Sequence, residues 1–388
     1  MLPQFSNTEI AFSYRSNKEL KRARFLFSSM GSPTLTSIGM KLTNIAISWN
    51  LPVQGLIKWT LFNQFCGGET MEEAGQTAAS LARYGVSTIL DYGVEGKESE
   101  ADFDKAVPEF IKAIKYAAAN KNIPFISMKI TGFAHFALLE KIHAGSELTK
   151  EEAEAWGRVY NRIDSICSVA AAHGIMVLVD AEESWIQIPV DELTDKMMER
   201  YNRGKVIVFN TFQLYRHDRL VFLRKSFDQA RQKGYQLGAK LVRGAYMEKE
   251  RNRAAEKGYP SPIQPDKTSC DKDYDEAVSF CLERLSELAV FIGTHNEVSC
   301  MKAVGFMDGH NIPATTDRVY FSQLFGMSDN ISFNLAHSGY HVAKYLPYGP
   351  VKDVIPYLMR RAQENTSVAG QTGRELSLID QEVKRRKL

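Results

Sequence analysis

A chain of 388 residues that is 44% hydrophobic and 24% charged holds enough apolar material for a sizeable core, which excludes a disordered or fibrous protein. Its 48 basic and 46 acidic side chains leave a net charge of +2, so no nucleic-acid footprint and no nucleic-acid partner is expected. The five cysteines are odd in number and form no C-x-x-C pair, which points to reduced, buried thiols and a cytoplasmic setting.

The N-terminus lacks the charged-then-apolar pattern of a signal peptide, and no transit peptide is evident. KELKRARFLFSSM, SIGMKLTNIAISW and MEEAGQTAASLARYG carry helical periodicity, so residues 1–86 read as an N-terminal helical arm. Leu42–Ile57 is the longest uncharged stretch there, too short and too polar to span a bilayer. Within 35–65, Trp49, Lys58 and Trp59 among apolar residues suit a helix lying on a membrane surface; packing against protein is the competing reading.

From residue 87 one pattern repeats. Apolar runs at 87–93, 125–130, 175–182, 206–213, 237–244, 289–296, 319–326 and 341–349 alternate with helical stretches at 100–119, 149–173, 191–203, 217–234, 272–287, 297–308, 328–338 and 351–365. In the second helix Thr149 and Glu152 make a capping box and Gly174 a stop. Eight strand–helix units over 87–388 predict an α/β fold, a (β/α)8 TIM-type barrel. A doubly wound sheet would want G-x-G-x-x-G, which the chain lacks, as it lacks a Walker A loop. Residues 250–272, rich in proline and charge, take no element, and VKRRKL reads as a solvated tail.

Function in such a barrel sits at the C-terminal strand ends. Those ends carry Asp91, Glu95, Lys129, Asp180, Gln213, Arg243, Tyr246, Thr294, His295, Gln323 and Tyr345. No metal is expected: there is no H-E-x-x-H, and His337 and His341 lie beside Gly339. No G-x-S-x-G elbow marks a hydrolase. In IPYLMRRAQEN, the residues Tyr357, Arg360, Arg361 and Glu364 share one helical face, with Pro356 expected to kink or restart the helix. A solvated salt-bridge face is one reading. The other is a pair of arginines that grips a carboxylate from two directions, with Lys129 adding a third cation.

AKLVRGAYMEKER, GTHNE, FSQLFGMSD and KYLPYGPVKDVIPYLMRRAQEN, together with VDAEES and FNTFQLY, closely resemble the proline dehydrogenase family from about residue 87 to 370. The resemblance implies a distorted barrel that binds FAD without a Rossmann domain. It implies hydride transfer from L-proline to flavin N5, giving Δ1-pyrroline-5-carboxylate, and electrons passed to a quinone in the first step of proline catabolism to glutamate. The length suits the monofunctional form, and peripheral membrane contact at the inner face follows from the quinone. By the same resemblance Arg360, Arg361 and Lys129 hold the substrate carboxylate, while Asp180 and Tyr246 shape the catalytic centre. Tyr345, Tyr357 and Leu324 wall the ring, Glu95 is a gate that pairs with Arg360, and Glu364 completes the arginine motif. FAD contacts fall on Ala181, Gln213, Lys240, Val242, Arg243, Gly244, Ala245, Thr294, His295 and Asn296. Lys240 stands where many bacterial members have arginine, which alters the geometry of that flavin contact. Tyr345 favours proline over 4-hydroxyproline. The alternatives are a hydroxyproline dehydrogenase, a flavin barrel such as a methylenetetrahydrofolate reductase, and a barrel that only senses proline.

Overall fold

The eight apolar runs form strands β1 (Val86–Tyr92), β2 (Phe125–Met128), β3 (Met176–Val179), β4 (Val208–Gln213), β5 (Leu237–Val242), β6 (Leu288–Gly293), β7 (Val319–Leu324) and β8 (Val342–Tyr348). They close into a barrel in chain order with helices between them, the predicted (β/α)8 fold. Strands covered on both faces read as continuous apolar runs rather than as alternation; β2, β3, β4 and β8 are buried at every position. The computed structural model describes residues 2–30, 54–93, 98–367 and 371–388. Two compact units divide the chain, Met1–Glu95 with Gln323–Leu388, and Gly96–Ser322.

In the first unit β1 pairs with β8 from Val86↔Val342 to Tyr92↔Tyr348. The helix Asn17–Met30 buries Leu20, Ala23, Phe27 and Met30, one stripe at helical spacing. That stripe joins a core with Phe65, Val354, Leu358, Leu378 and Ile379. The segment Gln54–Ile57 runs through a π-helical turn, Lys58–Phe62, into Asn63–Phe65. Its Ile57, Phe62 and Phe65 are buried, while Trp59 is 48% exposed, 6.1 Å from the 57% exposed Phe25. Residues 31–53, with Trp49 and the helix expected at SIGMKLTNIAISW, lie outside the described residues. No described helix is long and apolar enough to cross a membrane.

One expectation fails here. The basic C-terminus is not a solvated tail but the end of a helix, Gln371–Arg385, that buries Leu378, Ile379 and Val383. Arg385 and Arg386 both bind the fully buried Glu382, and Arg386 also donates to the carbonyls of Phe12 and Arg15 at 2.8 Å. Cations near a helix C-terminus thus find a carboxylate on their own helix and backbone carbonyls of the N-terminal segment. Of the two effects expected of Pro356, a restart does not occur: its helix runs on from Val351 to Ser367.

The second unit carries parallel pairings from β2–β3 through β6–β7. Phe125 of β2 meets Phe291 of β6 edge-on at 4.6 Å, Phe209 of β4 approaches the same ring at 5.6 Å, and Tyr320 of β7 stacks on it at 5.2 Å. Side chains from strands this far apart meet only inside a barrel, so these rings plug its interior and leave the strand ends for chemistry. The capping box at Thr149–Glu152 and the left-handed stop at Gly174 are present. Two helices were not foreseen, Phe136–His143 and Met247–Lys257. All five cysteines are free and buried.

Candidate active site

In the second unit the strand ends build a charged rim. Asp180 follows β3, and its carboxylate accepts from Lys240 Nζ of β5 at 2.6 Å, with Lys129 Nζ at 3.8 Å. Lys240 is therefore spent mainly on Asp180, and both side chains are nearly buried. Gln213 ends β4; its Nε2 donates to the carbonyl of Glu182 at 3.1 Å. Its Oε1 is buried with no hydrogen-bond partner among the described residues.

Arg243, just past β5, is fixed on every side. Nε donates to Asp271 at 2.8 Å, Nη1 to Thr294 Oγ1 at 2.7 Å and Nη2 to Ser299 Oγ at 2.9 Å. Its guanidinium lies 4.2 Å over the Tyr274 ring. Burial opposes the charge of Asp271, yet Lys267 and Arg243 hold its carboxyl below the usual range. Gly244 has φ +132°, and a Cβ there would fall 2.4 Å from the Tyr215 ring, so only glycine fits. Asn296 caps the helix Glu297–Gly309, accepting from Val298 N at 2.9 Å. Val242 closes β5, Ala181 follows Asp180, His295 sits between Thr294 and Asn296, and Ala245 and Tyr246 lead into Met247–Lys257.

That last helix braces the loop after β3. Fully buried Glu250 accepts both the backbone N–H and the hydroxyl of Ser184 at 2.6 Å. Lys249 pairs with Glu183, and Arg253 covers Trp185 at 4.4 Å. Glu182, beside Asp180 in sequence, accepts from Thr131 Oγ1 at 2.7 Å. Burial pushes its carboxyl up to about 7, although Lys129 works against this. Glu182, Glu250, Asp271 and Ser299 escaped the sequence reading, although VDAEES holds three acidic residues, Asp180, Glu182 and Glu183, at a strand end.

In the first unit Tyr345 of β8, Tyr357 and Arg361 are buried, Arg360 and Leu324 half-buried. The Arg361 guanidinium lies 5.3 Å from the Tyr357 ring centre, so that part of the expected helical face is real and is not a solvated one. Glu95 lies outside the described residues, as does the side chain of Glu364. A groove of about 1000 Å³ lies elsewhere, in the second unit between Gln187–Tyr201 and Arg219–Lys233. None of the sequence-predicted site residues lines it.

The proline dehydrogenase family profile matches residues 74–374. The carbapenem antibiotics biosynthesis protein CarD of Pectobacterium carotovorum subsp. carotovorum is 35% identical over 323 residues, 83% of each chain. Human mitochondrial proline dehydrogenase 1 is 41% identical over 244 residues, 62% of this chain and 41% of that one. In fold the chain is similar to proline utilization A from Bdellovibrio bacteriovorus, solved after inactivation by N-propargylglycine, with a TM-score of 0.73 at 18% identity. That likeness covers 97% of this chain and 38% of the other, so the chain spans well under half of both the human and the Bdellovibrio proteins.

Proposed function

Because the chain belongs to the proline dehydrogenase family, we propose that it oxidises L-proline to Δ1-pyrroline-5-carboxylate, with FAD as resident cofactor and a quinone as the final acceptor. The observation that carries the reading is the buried pair Arg361–Tyr357, 7% and 6% exposed, one helix beyond β8. A guanidinium beside a ring keeps its in-plane donors for a carboxylate while the ring lies flat for an apolar substrate. Arg360 is about 100° further round the helix and reaches the same anion from a second direction. Lys129 is assigned as the third carboxylate ligand, Tyr345, Tyr357 and Leu324 as the ring wall. Glu95 is the gate on Arg360, and Glu364 supports the motif.

The residues present fit a flavin. The unpartnered Gln213 Oε1 offers an acceptor for a ring N–H. Lys240, Arg243, Gly244, Thr294 and His295, with Ala181, Val242, Ala245 and Asn296, make up the proposed contact set. FAD, when bound, supplies the two-electron acceptor that side chains lack. The protein's own part is orientation. Carboxylate contacts alone bind substrate and transition state alike, so their catalytic value is in positioning. The substrate nitrogen must be neutral as the C–N bond becomes C=N; its proton is assigned to water. Asp180 holds Lys240 and draws in Lys129, which fixes both cations. Tyr246 shapes the floor.

Passing electrons to a quinone calls for peripheral contact with a membrane from its cytoplasmic side. The adjacent exposed rings of Phe25 and Trp59 support such contact. Liposome co-sedimentation that is unchanged by Trp59→Ser would refute that part.

The test of the main reading is the absorbance spectrum of the purified protein before and after anaerobic L-proline. A flavin spectrum that bleaches is the expected result. Bleaching by NADH and not by proline would favour the reductase alternative, and absence of flavin after added FAD would overturn the reading. Higher kcat/KM for trans-4-hydroxyproline than for proline would transfer the assignment to that substrate.

A further inference from the structure

The turn that follows β7, Leu324 to Ser328, begins with the leucine assigned to the substrate wall. Its own backbone closes it with one bond, from Met327 N–H to the Leu324 carbonyl at 3.2 Å. Further polar contacts to it come from distant parts of the first unit. Lys344 on β8 is fully buried and donates to the carbonyls of Leu324, at 3.3 Å, and Met327. Phe325 N–H donates to the Tyr345 carbonyl at 2.9 Å. Gly326 presents its carbonyl to Gln64 Nε2 at 2.6 Å, and its φ of +77° with a would-be Cβ 1.9 Å from the Gln64 carbonyl admits only glycine. Ser328, itself left-handed at φ +48°, gives its N–H to the buried Glu375 of the last helix.

The groups that grip the turn are themselves tied together. Lys344 Nζ also meets Asp329 Oδ1 at 3.0 Å. The other oxygen, Oδ2, accepts from Tyr14 OH at 2.8 Å and from Arg15 Nε and Nη2 at 3.0 and 2.9 Å. Arg15 Nη1 reaches Gln64 Oε1 at 3.1 Å. An ammonium that donates to two carbonyls and pairs with a carboxylate is held from three sides, and a buried network of this kind defines one arrangement of the backbone it touches.

We propose that Lys344, with Gln64 and Glu375, is a positioning residue for substrate recognition: it sets the turn after β7 so that Leu324 stands against the substrate ring beside Tyr345. The inference rests on the reading of the chain as a proline oxidase. It also gives the N-terminal segment and the last helix a share in ring recognition. Carboxylate recognition is assigned to Arg360 and Arg361 on the helix after β8, so the two halves of the substrate are separable by experiment.

The experiment compares wild type with Lys344→Met by KM for L-proline and by competition with two probes. Cyclopentanecarboxylate carries ring and carboxylate, and acetate the carboxylate alone. Lys344→Met is expected to weaken proline and cyclopentanecarboxylate on the order of tenfold, while acetate moves less than about twofold. Equal weakening of proline and both probes, or no change in any of the three, overturns the proposal. Because Lys344→Met removes a buried charge, Glu375 gives a second route. Glu375→Leu loses the acceptor for Ser328 and is expected to shift ring binding in the same direction. Glu375→Gln keeps an acceptor oxygen and is expected to restore most of it; equal effects of the two refute the mechanism. A wild-type protein that neither turns over proline nor binds cyclopentanecarboxylate would instead overturn the functional reading beneath.

Discussion

Asp329→Asn should be the most informative stability change in the protein. The carboxylate is 2% exposed and answers two buried cations, Arg15 and Lys344. Burial works against its charge, yet Lys344 and Arg15 hold its carboxyl down at about 2. Removing one member of a buried ion pair typically costs about 3–5 kcal/mol, because the partner is left charged without compensation. For 388 residues the unfolding entropy is roughly 0.8 kcal/mol per degree, so a loss of about 4 kcal/mol lowers the apparent Tm by about 5 °C. The size of the loss should depend on pH through Glu375. Burial first, and then Asp329, pushes that carboxyl up to about 7. In the wild type its contribution is fully present below the unfolded carboxyl pKa near 4.5 and falls as pH rises through about 7. Without Asp329 it faces only Arg15 and Lys344 and ionises at lower pH, so that decline is reduced in the variant. The deficit of Asp329→Asn is therefore largest near pH 5 and narrows toward pH 8 by on the order of 1–3 kcal/mol. Thermal and urea unfolding at both pH values measure this. A deficit under about 1 kcal/mol at pH 5, or one that widens with pH, would refute the reasoning.

Arg361→Met should raise KM for proline steeply and lower kcat as well; steady-state kinetics with unchanged constants would remove the arginine from the carboxylate site. Gly244→Ala must place a Cβ 2.4 Å from the Tyr215 ring at φ +132°, so a loss of about 2–4 kcal/mol in urea unfolding is expected. Thr149→Ala deletes the capping box of Lys150–His173 and should cost about 1 kcal/mol while leaving proline turnover intact. A loss of turnover there would mean that the helix does more than support the barrel.

The strands were legible because a parallel barrel strand buries both faces and writes an apolar run, as MVLV and LAVFIG do. Helices with an apolar stripe were legible for the corresponding reason. Met247–Lys257 was not, since only Glu250 and Ala254 are buried along it and its docking rests on a carboxylate that binds Ser184. Periodicity of apolar residues has nothing to register in such a helix. The rim residues could be found because they sit in short motifs at strand ends. Asp271 lies in no such motif, and Glu182, although it sits in VDAEES, shows its importance only through Thr131, 51 residues away. The same holds for Arg15 and Asp329, which are 314 residues apart and belong to no local pattern.

That separation has a consequence for synthesis on the ribosome. At about 5–20 residues per second, Arg15 emerges roughly 15–60 s before Asp329. For that interval the apolar stripe of Asn17–Met30 has no core to join, because Val354, Leu358, Leu378 and Ile379 are still to be made. The intervening Gly96–Ser322 unit is made before the C-terminal part of the first unit, Gln323–Leu388, appears. The nascent chain therefore carries an exposed hydrophobic surface at its leading end through most of translation. Its yield in a cell-free system should respond to chaperones that hold such surfaces, and to translation speed, more than its final stability would suggest.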